Sequence, residues 1–165
     1  MKLEQLKQVM KTVESPIQPF LQRHTVDYKS RVIPLNPLCE KGDALVYQFT
    51  TDDRSEQTVL LLPDGCIDLL FCCDVTGPRA FFTGYQDQSR GCVLKPNQTY
   101  FGIKPYSGFL GLKSLSITPR ECYGQQVSLD DVLKTGLLEG QIAEAASMDE
   151  RIHLFQQYWL EHYLD

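Results

Sequence analysis

Long hydrophobic runs are missing from this 165-residue chain: its longest apolar stretches, Val59–Leu62 and Leu69–Cys73, fall far short of the roughly 20 residues that cross a bilayer as a helix. A membrane helix is not expected. The opening MKLEQLKQVMK has neither an apolar core nor a small-residue cleavage site, so secretion is not indicated and the cytoplasm is the expected compartment. Histidine is scarce, with only His24, His153 and His162, and all three lie far from the six cysteines at 39, 66, 72, 73, 92 and 122. No CxxC pair exists, so a zinc-finger spacing is excluded and no metal or other cofactor is expected. In a reducing compartment these cysteines read as small buried hydrophobes, and Cys72 and Cys73, adjacent in a strand, point to opposite faces. The GxSxG, Walker A and HExxH motifs are absent, and no histidine is placed beside Cys66 or Cys92. Catalysis is not expected. Basic residues are also few at one end: residues 121–165 hold Lys134 and Arg151 against nine acids, net −7, whereas residues 1–120 hold 14 basic residues against 12 acidic ones. A chain of net charge −5 with such a tail is not expected to bind nucleic acid unaided.

What is present describes an ordinary globular domain, 42% hydrophobic and 22% charged, of a length that suits one core. The chain reads as a single domain over 1–165, with a helix over 1–15, a β-core over 43–104 and a helical segment over 105–165. Leu3, Leu6, Val9 or Met10, and Val13 form a helical stripe that Ser15-Pro16 ends. Residues 16–43 are rich in proline, with Thr25–Tyr28 and Arg31–Ile33 as short paired strands. Ala44–Thr51 has aromatic and β-branched strand content. Gln57–Leu62 and Cys66–Cys73 flank Pro63-Asp64-Gly65 and predict a central hairpin, apolar on both faces. Ala80–Tyr85, Gly91–Leu94 and Thr99–Lys104 follow between turns, a spacing that predicts a small antiparallel sandwich or barrel. Beyond Pro105 the pattern turns helical. Ser107–Leu112 suits one turn, Thr118-Pro119 and Ser128-x-x-Asp131 carry capping signals, and Leu137–Ala146 pairs with a final helix opened by the capping box Ser147-x-x-Glu150.

The order VLLLPDGCIDLLF at 59–71, FFTGY at 81–85, YFGIKPYSGFLGL at 100–112 and SITPRECYGQQVSLDDVL at 116–133 resembles the N-terminal regulatory domain of one group of AraC/XylS-type bacterial transcription regulators. The resemblance covers about residues 20–165, and its most specific element is the LLPDGCIDLLF core. It implies an α+β fold, a small antiparallel β-sandwich or barrel of cupin-like form, with an N-terminal helix and a C-terminal helical hairpin. It implies a sensory domain that binds a small effector, forms a homodimer through its C-terminal helices, and meets DNA only through a helix-turn-helix domain not present in this sequence. The chain then reads as an excised N-terminal portion of a regulator or as a free-standing sensor. The segment Lys104-Pro105-Tyr106-Ser107-Gly108 departs from the arginine-aromatic-x-Pro-Gly run frequent in that group, so no ligand role is carried to this turn. The alternative function is a free-standing small β-barrel ligand-binding protein or enzyme.

Asp68 interrupts an apolar run, so its carboxylate either anchors an effector inside the barrel or makes an internal bond that fixes the hairpin. Among the strand aromatics Tyr47, Phe49, Phe71, Phe82, Tyr85, Tyr100 and Phe101, tyrosines offer a polar tip, which makes Tyr85 and Tyr100 the ligand candidates beside Asp68. Lys104 reads as a solvated lysine, with contact to an anionic ligand as the alternative. Ile152, Phe155, Trp159 and Tyr163 form a stripe that either packs on the domain or is shared with a second copy as a dimer seam.

Overall fold

The computed structural model describes residues 18, 21, 24–36, 44–54, 56–63, 66–105, 121 and 123–163. The helix expected over 1–15, the turn at 107–112, the Thr118-Pro119 cap and the tip of the Pro63-Asp64-Gly65 turn lie outside the described residues. Among these residues eight strands are formed: β1 (Val26–Ile33), β2 (Ala44–Thr50), β3 (Gln57–Leu61), β4 (Asp68–Cys72), β5 (Arg79–Thr83), β6 (Arg90–Leu94), β7 (Thr99–Pro105) and β8 (Gln126–Ser128). A 3-10 turn at Leu129–Asp131 and the helices α1 (Leu138–Glu144) and α2 (Met148–Tyr163) follow. Six strands form one antiparallel sheet in the order β1-β2-β7-β4-β5-β8, and β3 pairs with β6 in a second sheet. The fold is therefore mixed α+β, and among the described residues neither sheet closes on itself.

Alternation along the strands explains the layering. On β2, β4 and β7 one set of side chains, including Val46, Leu69, Phe71, Phe101 and Ile103, packs against Ile142, Ile152, Phe155 and Trp159 of the helices. The opposite set, including Tyr47, Phe49, Leu70, Cys72 and Tyr100, packs against Val59, Leu61, Cys92 and Leu94 of the small sheet. The large sheet is thus the middle of three layers, and β4 is buried at every position. Cys72 and Cys73 do face opposite layers, Cys72 toward the small sheet and Cys73 toward the helices.

Two expectations about pairing change. Gln57–Leu61 and Asp68–Cys72 are not the arms of one hairpin: β3 belongs to the small sheet with β6, while β4 lies between β7 and β5. The physical reason shows in their burial, since β3 alternates and exposes Thr58 and Leu60 whereas β4 exposes neither face. Likewise Thr25–Tyr28 and Arg31–Ile33 do not pair with each other but form one edge strand along β2. Between Val26↔Thr50 and Lys29↔Gln48 three steps on β1 match two on β2, a bulge at which Asp27 takes φ +53°. With Lys29 and Arg31 exposed along it, this edge discourages further strand addition.

The final helix begins where the capping box predicts. Ser147 Oγ accepts from the Glu150 N–H at 3.2 Å, and the Glu150 carboxylate accepts from the Ala146 N–H at 2.8 Å. Its apolar stripe packs on the domain itself: Ile152, Phe155 and Trp159 are buried in the helix-side core, with Phe155 1% exposed and stacked on Trp159 at 5.9 Å. The Tyr163 side chain lies outside the described residues. No helix among the described residues is long and apolar enough to cross a membrane.

Candidate functional site

The space between the two sheets holds the polar groups that an apolar sandwich has least reason to contain. Asp68 opens β4 with its side chain on the inter-sheet face, where the Tyr47 hydroxyl lies 2.9 Å from Oδ1 and 2.7 Å from Oδ2 and donates to the carboxylate. Tyr47 reaches it by lying flat across β7. The register places Tyr47 opposite Gly102, where a Cβ would stand 2.0 Å from the Tyr47 ring, so only glycine leaves room for the phenol to cross. Burial, reinforced by the neighbouring Asp68 charge, pushes the Tyr47 phenol well above its usual range, so it remains a donor.

Lys104 joins this group. The pairing Leu69↔Ile103 sets Lys104 one step along β7, across from Asp68, and its Nζ lies 5.8 Å from the centre of the Tyr47 ring. Lys104 is only 3% exposed, which overturns its reading as a solvated lysine: its parity with Tyr100 and Gly102 turns it inward. Asp68, Lys104 and Thr83 border a cleft of about 20 Å³, room for about one water and no larger ligand.

A larger cavity opens on the same face of the sheet, further along β4 and β5. It measures about 280 Å³, lined by the buried or half-buried Leu70, Cys72, Phe81, Cys92 and Tyr100, by the half-buried Lys95 and by the exposed Arg79, Glu56 and Gln126. The registers Leu70↔Phe81 and Cys72↔Arg79 explain why these residues of β4 and β5 share it. Tyr100 is a fixed wall: its oxygen accepts from the Lys95 backbone N–H at 2.9 Å, and its hydroxyl is hydrogen-bonded with the Cys72 thiol. Phe49 stacks on the Tyr100 ring at 5.3 Å, with Tyr47 and Tyr28 continuing the stack. Burial pushes the Cys92 thiol up to about 11 and raises Cys72 as well, so both remain protonated at neutral pH and serve as packing groups.

The three ligand candidates are thus separated. Asp68 borders the small cleft, Tyr100 walls the larger cavity, and Tyr85 packs against the helix-side core and borders neither. Sequence reasoning missed Arg79 and Lys95, because nothing in a single sequence pairs the start of β5 with the end of β6. It also missed Arg151 of α2. This buried guanidinium donates from Nε to the Ile142 carbonyl at 2.9 Å, from Nη2 to the Ala145 carbonyl at 2.7 Å, and from Nη1 to Gln48 Oε1 on β2 at 2.8 Å. It satisfies carbonyls at the C-terminal end of α1 and ties both helices to the large sheet. A signal did exist: Arg151 is one of two cations after residue 120, and it sits near a helix N-terminus, where the dipole disfavours positive charge.

A shallower hollow of about 470 Å³ lies on the helix side, between the 134–138 loop and α2. The exposed edge at Leu137 and the commitment of Tyr158, whose hydroxyl donates to the Lys134 carbonyl at 2.8 Å, make it a surface groove. No protein-family model, curated protein or solved structure matches the chain.

Proposed function

We propose that this chain is the sensory domain of an AraC-type transcription regulator, binding a small effector between its two sheets and passing the result through the helices to an attached DNA-binding domain. One observation carries the reading: the large sheet has a cavity of about 280 Å³ on one face and the helical pair on the other. The same strands serve both, since Leu70 of β4 faces the cavity while Leu69 and Phe71 face the helices. An effector that repositions β4 or β5 therefore acts on the packing of α1 and α2, the segment nearest the proposed DNA reader. The order of motifs described above supports the family assignment, and the two facing sheets are read as an open, cupin-like barrel.

In this reading Asp68, Tyr47 and Lys104 form a polar tie across β2, β7 and β4 that holds the register of the cavity's back wall. The protein acts by population shift, an effector favouring one arrangement of sheet and helices, and does no chemistry on it. The domain is cytoplasmic, and a pair of such domains meets through the C-terminal helical segment.

A thermal-denaturation screen of small organic molecules against the chain tests the proposal. A ligand at 100 times its Kd adds about 2.7 kcal/mol, which raises Tm by about 5–10 °C in a domain of roughly this size. The shift is expected to disappear in Phe81→Trp, which narrows the cavity at a half-buried wall. Stabilising compounds that act equally on Phe81→Trp contradict the location.

A further inference from the structure

The cavity between the sheets has a chemical polarity of its own, and from it we infer that the ligand is a small organic anion with a flat or short apolar body. The inference rests on the cavity being the effector site. Its inner walls, Leu70, Phe81 and Tyr100, are apolar surfaces, and the Tyr100 hydroxyl is already engaged by Lys95 N–H and the Cys72 thiol. A sugar or other polyol would have to bury hydroxyls against Leu70 and Phe81, which offer no hydrogen-bond partner, at a cost of ~1–3 kcal/mol each. The protonated thiols of Cys72 and Cys92 are poor nucleophiles, which disfavours an electrophile as ligand.

The lining also supplies the charge. Arg79 opens β5 directly opposite Cys72, and Lys95 follows the last residue of β6, so two cations line one cavity. Neither forms an ion pair among the described residues. Glu56 is the one carboxylate on the cavity lining, leaving a net charge of +1 there from Arg79 and Lys95 against Glu56. Asp74, outside the cavity, also acts on Lys95. Arg90 and Asp68, both off the cavity lining, act on Cys92 with opposite sign, so the lining charges set the balance. The volume of about 280 Å³ equals about nine water-sized groups at ~30 Å³ each. That fits a carboxylate end at Arg79 and Lys95 with an aromatic ring or a chain of a few carbons against Leu70 and Phe81.

Calorimetric titration with phenylacetate, phenylacetamide, phenethylamine and hexanoate tests this on the 165-residue chain. Phenylacetate is expected to bind at least about tenfold more tightly than phenylacetamide, the scale of one charge-assisted hydrogen bond, and phenethylamine not at all. Arg79→Gln and Lys95→Gln are surface changes that leave far-UV circular dichroism unaltered, and each is expected to erase most of the preference for acid over amide. Glu56→Gln is expected to increase it. Equal binding of acid, amide and amine overturns the anion assignment while leaving the cavity as a ligand site. Acid binding that neither Arg79→Gln nor Lys95→Gln weakens overturns it too, since the anion then sits elsewhere. Failure of both acids to bind overturns it as well, and the effector-cavity reading falls with it only if neutral compounds also leave Tm unchanged.

Discussion

Replacing Arg151 by methionine removes a side chain that hydrogen-bonds to both α1 and the large sheet from its place on α2. In the parent chain its guanidinium holds the Ile142 and Ala145 carbonyls at 2.9 and 2.7 Å, and both residues are buried. Methionine refills much of the volume but donates nothing, so two buried carbonyls lose their partner at ~1–3 kcal/mol each, or about 2–6 kcal/mol together. Gln48, half exposed on β2, regains water for its amide oxygen and adds little. Against a typical total stability of about 5–15 kcal/mol this is a large fraction, and a mid-range loss of ~4 kcal/mol lowers Tm by about 8–16 °C at this chain length. Trp159 is a convenient reporter, the single tryptophan of the chain, 6% exposed and stacked on Phe155 in the helix-side core. Urea denaturation followed by Trp159 emission and by far-UV circular dichroism should show the loss in both signals. Arg151→Lys, with one nitrogen in place of three, should fall between. An Arg151→Met chain within about 0.5 kcal/mol of the parent contradicts this role for the guanidinium, because the carbonyls would then be satisfied without it.

Further outcomes follow from the inter-sheet face. Gly102→Ala sets a Cβ 2.0 Å from the Tyr47 ring and is expected to cost about 1–3 kcal/mol in urea denaturation. In the background of Tyr47→Ala, which removes the clash, the same change should cost less than half as much. Tyr47→Phe leaves the Asp68 carboxylate without that hydroxyl donor and is expected to lose ~1–3 kcal/mol in urea denaturation at pH 7. With its pKa raised by burial to about 11, Cys92 keeps its proton when the unfolded thiol has lost its own, so stability holds below about pH 9 and declines as pH rises from 9 through 11. The gap between the folded and unfolded thiol caps that decline at ~2.7 kcal/mol, and Cys92→Ala should flatten the alkaline limb of a stability-versus-pH curve. Ser147→Ala removes the α2 cap and is expected to cost ~1 kcal/mol by thermal denaturation.

Local patterns and long-range pairing are unequally legible. The strands around Ala44–Thr50, Arg90–Leu94 and Thr99–Pro105 announce themselves by strand-forming composition and bounding turns, and α2 by Ser147 and Glu150, because those signals operate over a few residues. Partner choice does not. Pro63-Asp64-Gly65 looks like a hairpin turn, yet the strands on either side of it, β3 and β4, belong to different sheets, since β3 completes its bonds with β6 some 30 positions later. Lys104 misleads for a related reason: its polarity suggests solvent, but strand parity with Tyr100 and Gly102 sends it inward to the neighbourhood of Asp68. Asp68 itself is legible as a carboxylate needing a partner. That its partner is Tyr47, reaching over a glycine on the intervening strand, depends on the β2-β7-β4 order that no short motif encodes.

If the protein is a sensor of the kind proposed, the cavity and the helices on the opposite face of the sheet form one coupled unit. Amide chemical shifts of the isotope-labelled chain, recorded with and without a saturating cavity ligand found in the thermal screen, probe that coupling without an intermediary. Coupling predicts changes at Leu70, Phe81 and Cys92 around the cavity and, through the shared strands, at Gln48 and along α2 from Arg151 to Trp159. Changes confined to the cavity wall, with Arg151, Phe155 and Trp159 unmoved, would contradict it.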